Sequence, residues 1–162
     1  MRTSSFSDLR VTRLNQRSAS SCLGLAERVF GKDSPEFQTV RDFSKEKRAG
    51  YIATIRNCVV GFAVYDNRGM DTVQVLALAV CKPDRREGIG GQLLTRIVHL
   101  PRKEVVINID GRNIVAQLFL RSQGFRAVTI EQDQFTFKRC KVGVVSAATE
   151  VTHSLQHTGT QQ

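Results

Sequence analysis

The stretch that most constrains this chain runs from Val73 to Leu94, VQVLALAVCKPDRREGIGGQLL. A largely apolar run, Val73 to Val80, has strand length and ends in a basic, glycine-rich turn. The turn opens directly into a segment with apolar residues at helical spacing: Ile89, Leu93, Leu94, Ile97 and Val98. A strand, turn and helix in this order leave backbone N–H groups bare at the helix start, where the helix dipole is positive. That end of a helix binds phosphate. Gly88 and Gly90 lack the Cβ atoms that would hold a diphosphate away from the backbone.

Three glycine-rich phosphate sites compete for this turn. A P-loop needs a Lys-Ser or Lys-Thr pair after its last glycine, and none follows Gly90 or Gly91. A dinucleotide fingerprint needs a glycine where Leu93 stands, and belongs near the first strand of its unit. The third is [QR]-x-x-G-x-[GA], which Arg85, Gly88 and Gly90 match at every fixed position. A second block, Asn113-Ile-Val-Ala116-Gln-Leu118-Phe119 running on to Gly124-Phe125, fits N-x-x-A-x-x-L-Y-x-x-x-G-F except at Phe119. In this order the two blocks resemble the GCN5-related N-acetyltransferases (GNAT). Within them the chain is most similar to the bacterial ribosomal-protein alanine N-acetyltransferases, the RimI-like branch. The resemblance covers roughly positions 72 to 130.

It implies an α/β fold, a mixed and mostly antiparallel sheet of about seven strands with helices on both faces. The domain would span 1–145, with a polar, disordered tail over 146–162. The pattern along the chain agrees. Leu9 to Leu14 alternates as a strand. Ser18 to Phe30 is helical and stops at Gly31. Ser34 and Pro35 start a second helix, predicted to reach Arg48 and to end at Gly50. Tyr51 to Ile55 and Cys58 to Tyr65 form a hairpin about Arg56-Asn57, and Thr72 to Val80 completes a meander. Glu104 to Ile109 is a central strand. Asn113 to Ser122 is a helix, and Ala127 to Glu131 with Phe135 to Val145 is a closing hairpin.

The resemblance implies an activity: an acetyl group passes from acetyl-CoA to a primary amine by direct attack, with no covalent enzyme intermediate. The diphosphate is expected on the N–H groups around Arg85, Arg86, Glu87, Gly88, Ile89, Gly90 and Gly91. A backbone N–H among Leu78, Ala79 and Val80 polarises the thioester carbonyl, and Asn113 contacts the cofactor arm. The general acid of the family is a Tyr where this chain has Phe119, which carries no proton. The alanine branch often has a Glu where Asn108 stands. Asp110, two residues on, shares a strand face with Asn108. It either substitutes as base or caps the next helix. Tyr65 and Glu131 are further candidates without positional support. The acceptor is a protein N-terminus as first choice, with a lysine or a small amine also open. Ser34-Pro35-Glu36-Phe37 resembles only faintly the aromatic, W-[ST]-rich segment that the alanine branch carries near its first helix pair, and the chain has no Trp. The missing acid and base motivate a second reading, a non-catalytic acyl-CoA-binding module.

The net charge of +9 raises nucleic acid as a partner, but the basic residues are dispersed and few aromatics lie among them. No apolar stretch approaches the ~20 residues of a membrane helix, and a signal-peptide core is lacking near Met1, so a cytoplasmic monomer or homodimer is expected. Cys58 and Cys81 read as small buried hydrophobes. The four cysteines have no metal spacing, and His153 and His157 lack further ligands, so no metal is expected.

Overall fold

The computed structural model describes residues 6–141. The tail read over 146–162, with His153 and His157, lies outside the described residues. Seven strands form one sheet in the order β1-β2-β3-β4-β5-β7-β6. They are β1 (Leu9–Arg13), β2 (Ala49–Ile55), β3 (Cys58–Asp66), β4 (Thr72–Val80), β5 (Glu104–Asp110), β6 (Arg126–Glu131) and β7 (Gln134–Cys140). Every neighbouring pair is antiparallel except β4 and β5. The helices are α1 (Gln16–Phe30), α2 (Pro35–Arg41), α3 (Ile89–Val98) and α4 (Ile114–Ser122). This is the mixed sheet with helices on both faces that the sequence implies.

The two faces carry separate cores. One packs Leu93, Leu94 and Ile97 of α3 and Leu120 of α4 against Val73, Val75, Val105, Ile107 and Phe137. The other packs Cys22, Leu25 and Ala26 of α1 and Val40 of α2 against Phe62, Val64, Ala77 and Ala79. Burial holds the Cys22 thiol up at about 12, so it is an inert apolar filler.

Local chemistry sets the boundaries. Asn15 and Ser18 form a reciprocal cap on α1, and Ser34 caps α2 with Pro35 in its first turn. Arg56 and Asn57 both take positive φ, the turn that suits a two-residue hairpin. The second helix departs from expectation. It ends at Arg41, and turns follow, with Lys47 at φ +51. Gly50 is no helix stop: it lies buried inside β2, where an added Cβ would stand 2.5 Å from the Ala63 carbonyl oxygen. The strand must start at Ala49 to reach that contact, so the helical pattern of 42–48 yields to it. Cys58 is also not buried; it opens β3 beside the hairpin turn and is exposed. Cys81 is half-buried against the α1 and α2 core.

Candidate acyl-transfer site at the end of β4

Two departures from regular pairing shape β4. First, its register with β3 slips: Ala77 pairs Val64 and Val75 pairs Tyr65, which leaves Leu76 as a bulge. The bulge changes which face each residue serves. Val73 and Val75 belong to the α3 and α4 core, whereas Ala77 and Ala79 belong to the α1 and α2 core. Second, β4 and β5 pair only from Thr72 with Glu104 to Val75 with Ile107. Beyond that point β5 stays with β7, and Leu76 to Val80 has a strand on one side only.

The direction of the backbone groups in this free half follows from one bond. The N–H of Cys81 donates to the Val60 carbonyl of β3 at 2.7 Å. Groups alternate along a strand, so the N–H groups of Val80 and Leu78 point away from β3, into the gap, and that of Ala79 points to β3. Of the three expected polarising donors, Ala79 is therefore spent within the sheet.

The turn that follows is clasped to the strand. Arg85 donates from Nε to the Val80 carbonyl at 3.1 Å, so this part of its guanidinium orders the loop instead of facing a phosphate. A 3₁₀ turn, Lys82–Asp84, precedes it. Arg86 (φ +68) and Gly88 (φ +78) are both left-handed, and Gly88 is the N-cap of α3. Left-handed residues of this kind turn successive amides towards one concavity. Among the described residues, no group accepts from the six N–H groups of Arg86, Glu87, Gly88, Ile89, Gly90 and Gly91. The first helical bond of α3 starts only at Gln92, to the Gly88 carbonyl. The two glycines of the motif serve different ends. A Cβ on Gly88 would meet nothing within 4 Å, so backbone conformation requires that glycine. A Cβ on Gly90 would meet Phe119 Cζ at 3.1 Å and Val80 Cγ2 at 3.6 Å, so that glycine admits α4 and not, in the first place, a ligand.

Phe119 is thus brought to the turn: its ring tip lies over Gly90, at the end of β4. Asn113 caps α4, its Oδ1 accepting from the Ala116 N–H at 3.1 Å. Asn108 and Asp110 alternate with Val105, Ile107 and Ile109, which serve the α3 and α4 core, so they lie on the opposite face of the sheet from Phe119. Asp110 does not cap the helix. It accepts from the backbone N–H of Arg112 at 2.8 Å and from its guanidinium at 2.8 and 3.0 Å. That guanidinium holds the carboxyl down at about 2, so it takes up no proton near neutral pH. Tyr65 pairs with Val75, about 16 Å along the strand from Val80. Burial and the neighbouring Tyr51 push its hydroxyl up to about 12. Glu131 ends the edge strand β6. The turn and the position of Phe119 are legible in the sequence, whereas no residue type marks the bulge at Leu76 or the early parting of β4 from β5.

The model of the acetyltransferase (GNAT) family matches residues 16–125. The chain belongs to that family. The fold is shared with a GNAT-family acetyltransferase described as putative, from Desulfovibrio desulfuricans, at 17% identity and a TM-score of 0.72, covering 82% of this chain and 98% of that one. It is also shared with the PaiA N-acetyltransferase of Thermoplasma acidophilum, solved with coenzyme A, at 15% identity and 0.68, covering 82% and 99%. A third is Arabidopsis thaliana NAA60, solved with a bisubstrate analogue, at 16% identity and 0.68, covering 84% and 99%. No curated protein sequence matches the chain. Among the described residues no helix is long and apolar enough to cross a membrane, and no three His, Cys, Asp or Glu side chains converge as metal ligands.

Proposed function

We propose that this GNAT acetyltransferase moves an acetyl group from acetyl-CoA to a primary amine in a ternary complex, with a protein N-terminus as the first choice of acceptor. The observation that carries the reading is the row of six unpartnered N–H groups, Arg86 to Gly91, beside the half of β4 that β5 has left. Such a row at the start of a helix suits a diphosphate. The free edge of β4 suits the amide-bearing arm of coenzyme A, which can pair with it as an added strand would. The relatives solved with coenzyme A and with a bisubstrate analogue support the same assignment. The reading takes the catalytic domain as residues 1–145, the branch as RimI-like and the setting as the cytoplasm.

The thioester supplies an acyl group already activated towards amines. The chain supplies position and polarisation: the gap-facing N–H groups of Leu78 and Val80 are the donors available to a carbonyl oxygen as charge develops on it. Among the described residues, the two positions expected to move protons do not supply them. Phe119 has no proton for the departing thiolate, and Asp110 stays an anion paired with Arg112. Water takes the proton of the amine, and the thiolate leaves without an acid. Acid–base assistance is worth roughly 10²–10⁴-fold, so the enzyme is slow for its family.

The same two residues favour a second reading, a module that binds acyl-CoA without turnover. Incubation with acetyl-CoA and a panel of N-terminal peptides, lysine peptides and small amines separates the two. The first reading predicts amine-dependent release of the CoA thiol and an acetylated product by mass spectrometry. Tight CoA binding with no product across the panel would establish the second.

A further inference from the structure

A second site lies at the opposite end of α3 from the turn, about 15 Å along the helix from Ile89 to His99. Arg13 at the end of β1 and its neighbour across the strand pair, Tyr51, form one wall. Thr95, Arg96 and His99 from the end of α3, with Leu100 and Pro101 after it, form the other. The groove between them has a volume of about 530 Å³ and no carboxylate in its lining. The side chains of Arg13 and Arg96 make no ion pair and no hydrogen bond among the described residues. His99 Nδ1 sits 2.7 Å from the Thr95 carbonyl oxygen, to which it donates, and Nε2 is left for a ligand. Lys141, outside the lining, donates from Nζ to the carbonyl of Leu100.

We infer that this groove binds a small phosphomonoester carried on an apolar body. Two arginines whose side chains make no ion pair line one groove beside an imidazole, and guanidinium forks match phosphate oxygens in pairs. Leu100 and Pro101 give the cavity an apolar side, where the rest of the ligand lies. The volume is that of a small-molecule site. A nucleic-acid track fits less well. The only aromatic ring here, Tyr51, is stacked on Tyr65 at 6.0 Å between centroids and offers no platform for successive bases. The groove is remote from Arg86–Gly91, so the inference stands apart from the acyl-transfer reading.

The test uses His99 as a local reporter in the full-length protein. Adenosine 5′-monophosphate is titrated while the ring C–H resonances of His99 are followed by NMR. Inorganic phosphate, adenosine and a single-stranded oligonucleotide serve as separate arms. The groove predicts that the monophosphate shifts the His99 resonances, that phosphate does so more weakly, and that adenosine does not. It predicts that Arg13→Gln with Arg96→Gln, both exposed positions, weakens the monophosphate at least tenfold without changing Tm. An unmoved His99, or equal affinity in the double variant, would overturn the inference. Phosphate binding as tightly as the monophosphate would overturn the role of the apolar side. Oligonucleotide binding with a silent monophosphate would replace the proposal with a nucleic-acid surface.

Discussion

Gly88→Ala separates conformation from space at the phosphate turn. Gly88 sits at φ +78, and an added methyl would touch nothing within 4 Å. The substitution therefore leaves every contact in place and charges only the backbone, at about 1–2 kcal/mol for an L-residue held left-handed. In the unliganded protein the exposed turn can relax and shed that strain, so Tm changes little. Binding must restore the left-handed cap and align the amides again, and the same 1–2 kcal/mol then reappears as a loss of affinity of roughly five- to thirtyfold. Gly90→Ala is the contrast. Its methyl would lie 3.1 Å from Phe119 Cζ, so the ring must give by a few tenths of an ångström. Overpacking of this kind costs about 1–3 kcal/mol of folding stability. Calorimetric titration with CoA and thermal denaturation of both variants read the two effects. Gly88→Ala binding CoA as tightly as the parent would refute the reasoning. So would a loss of Tm in that variant equal to that of Gly90→Ala.

Three further outcomes are expected. Asp110→Asn removes a carboxylate that is ionised at all working pH values. Its carboxyl, depressed to about 2, contributes stability that is present above the ordinary carboxylate range and lost only as pH falls towards 2. The variant should keep the pH profile of kcat/KM between pH 5 and 9 and lose less than tenfold in rate; a vanished limb would make Asp110 the base after all. Phe119→Tyr supplies the missing phenol on Cζ, and kcat should be at least that of the parent, with a new alkaline limb if the phenol protonates the thiolate; a large loss in kcat would show that the close packing of Cζ on Gly90 leaves the hydroxyl no room. Gly50→Ala drives a methyl to 2.5 Å from the Ala63 carbonyl oxygen, and should destabilise the fold by about 1–3 kcal/mol in urea titration, against no change if β2 and β3 were loosely paired.

Local chemistry made much of this fold legible. The bounds of β4 follow from the apolar run and the turn that ends it, and the α2 start follows from Ser34 and Pro35. Tertiary contacts hid the rest. Residues 42–48 have helical composition, but Gly50 has to enter β2 against Ala63, and the helix gives way at Arg41. The glycine spacing of the turn was readable, but the partner of Gly90 was not, because Phe119 arrives from another helix. The charge on Asp110 depends on how the Arg112 side chain folds back over two residues, which spacing alone leaves open. Hardest of all was Leu76: a bulge is a property of two strands in register, and β4 carries the same residue types on either side of it.

Acyl transfer at this site requires the amides from Arg86 to Gly91 to receive the diphosphate of coenzyme A. Backbone ¹H–¹⁵N spectra recorded through a CoA titration test this residue by residue. These six amides should show large, saturable downfield shifts together with those of Leu78 and Val80, while Ala79, bonded towards β3, moves little. Binding that leaves the six amides unmoved and shifts another surface instead would contradict it.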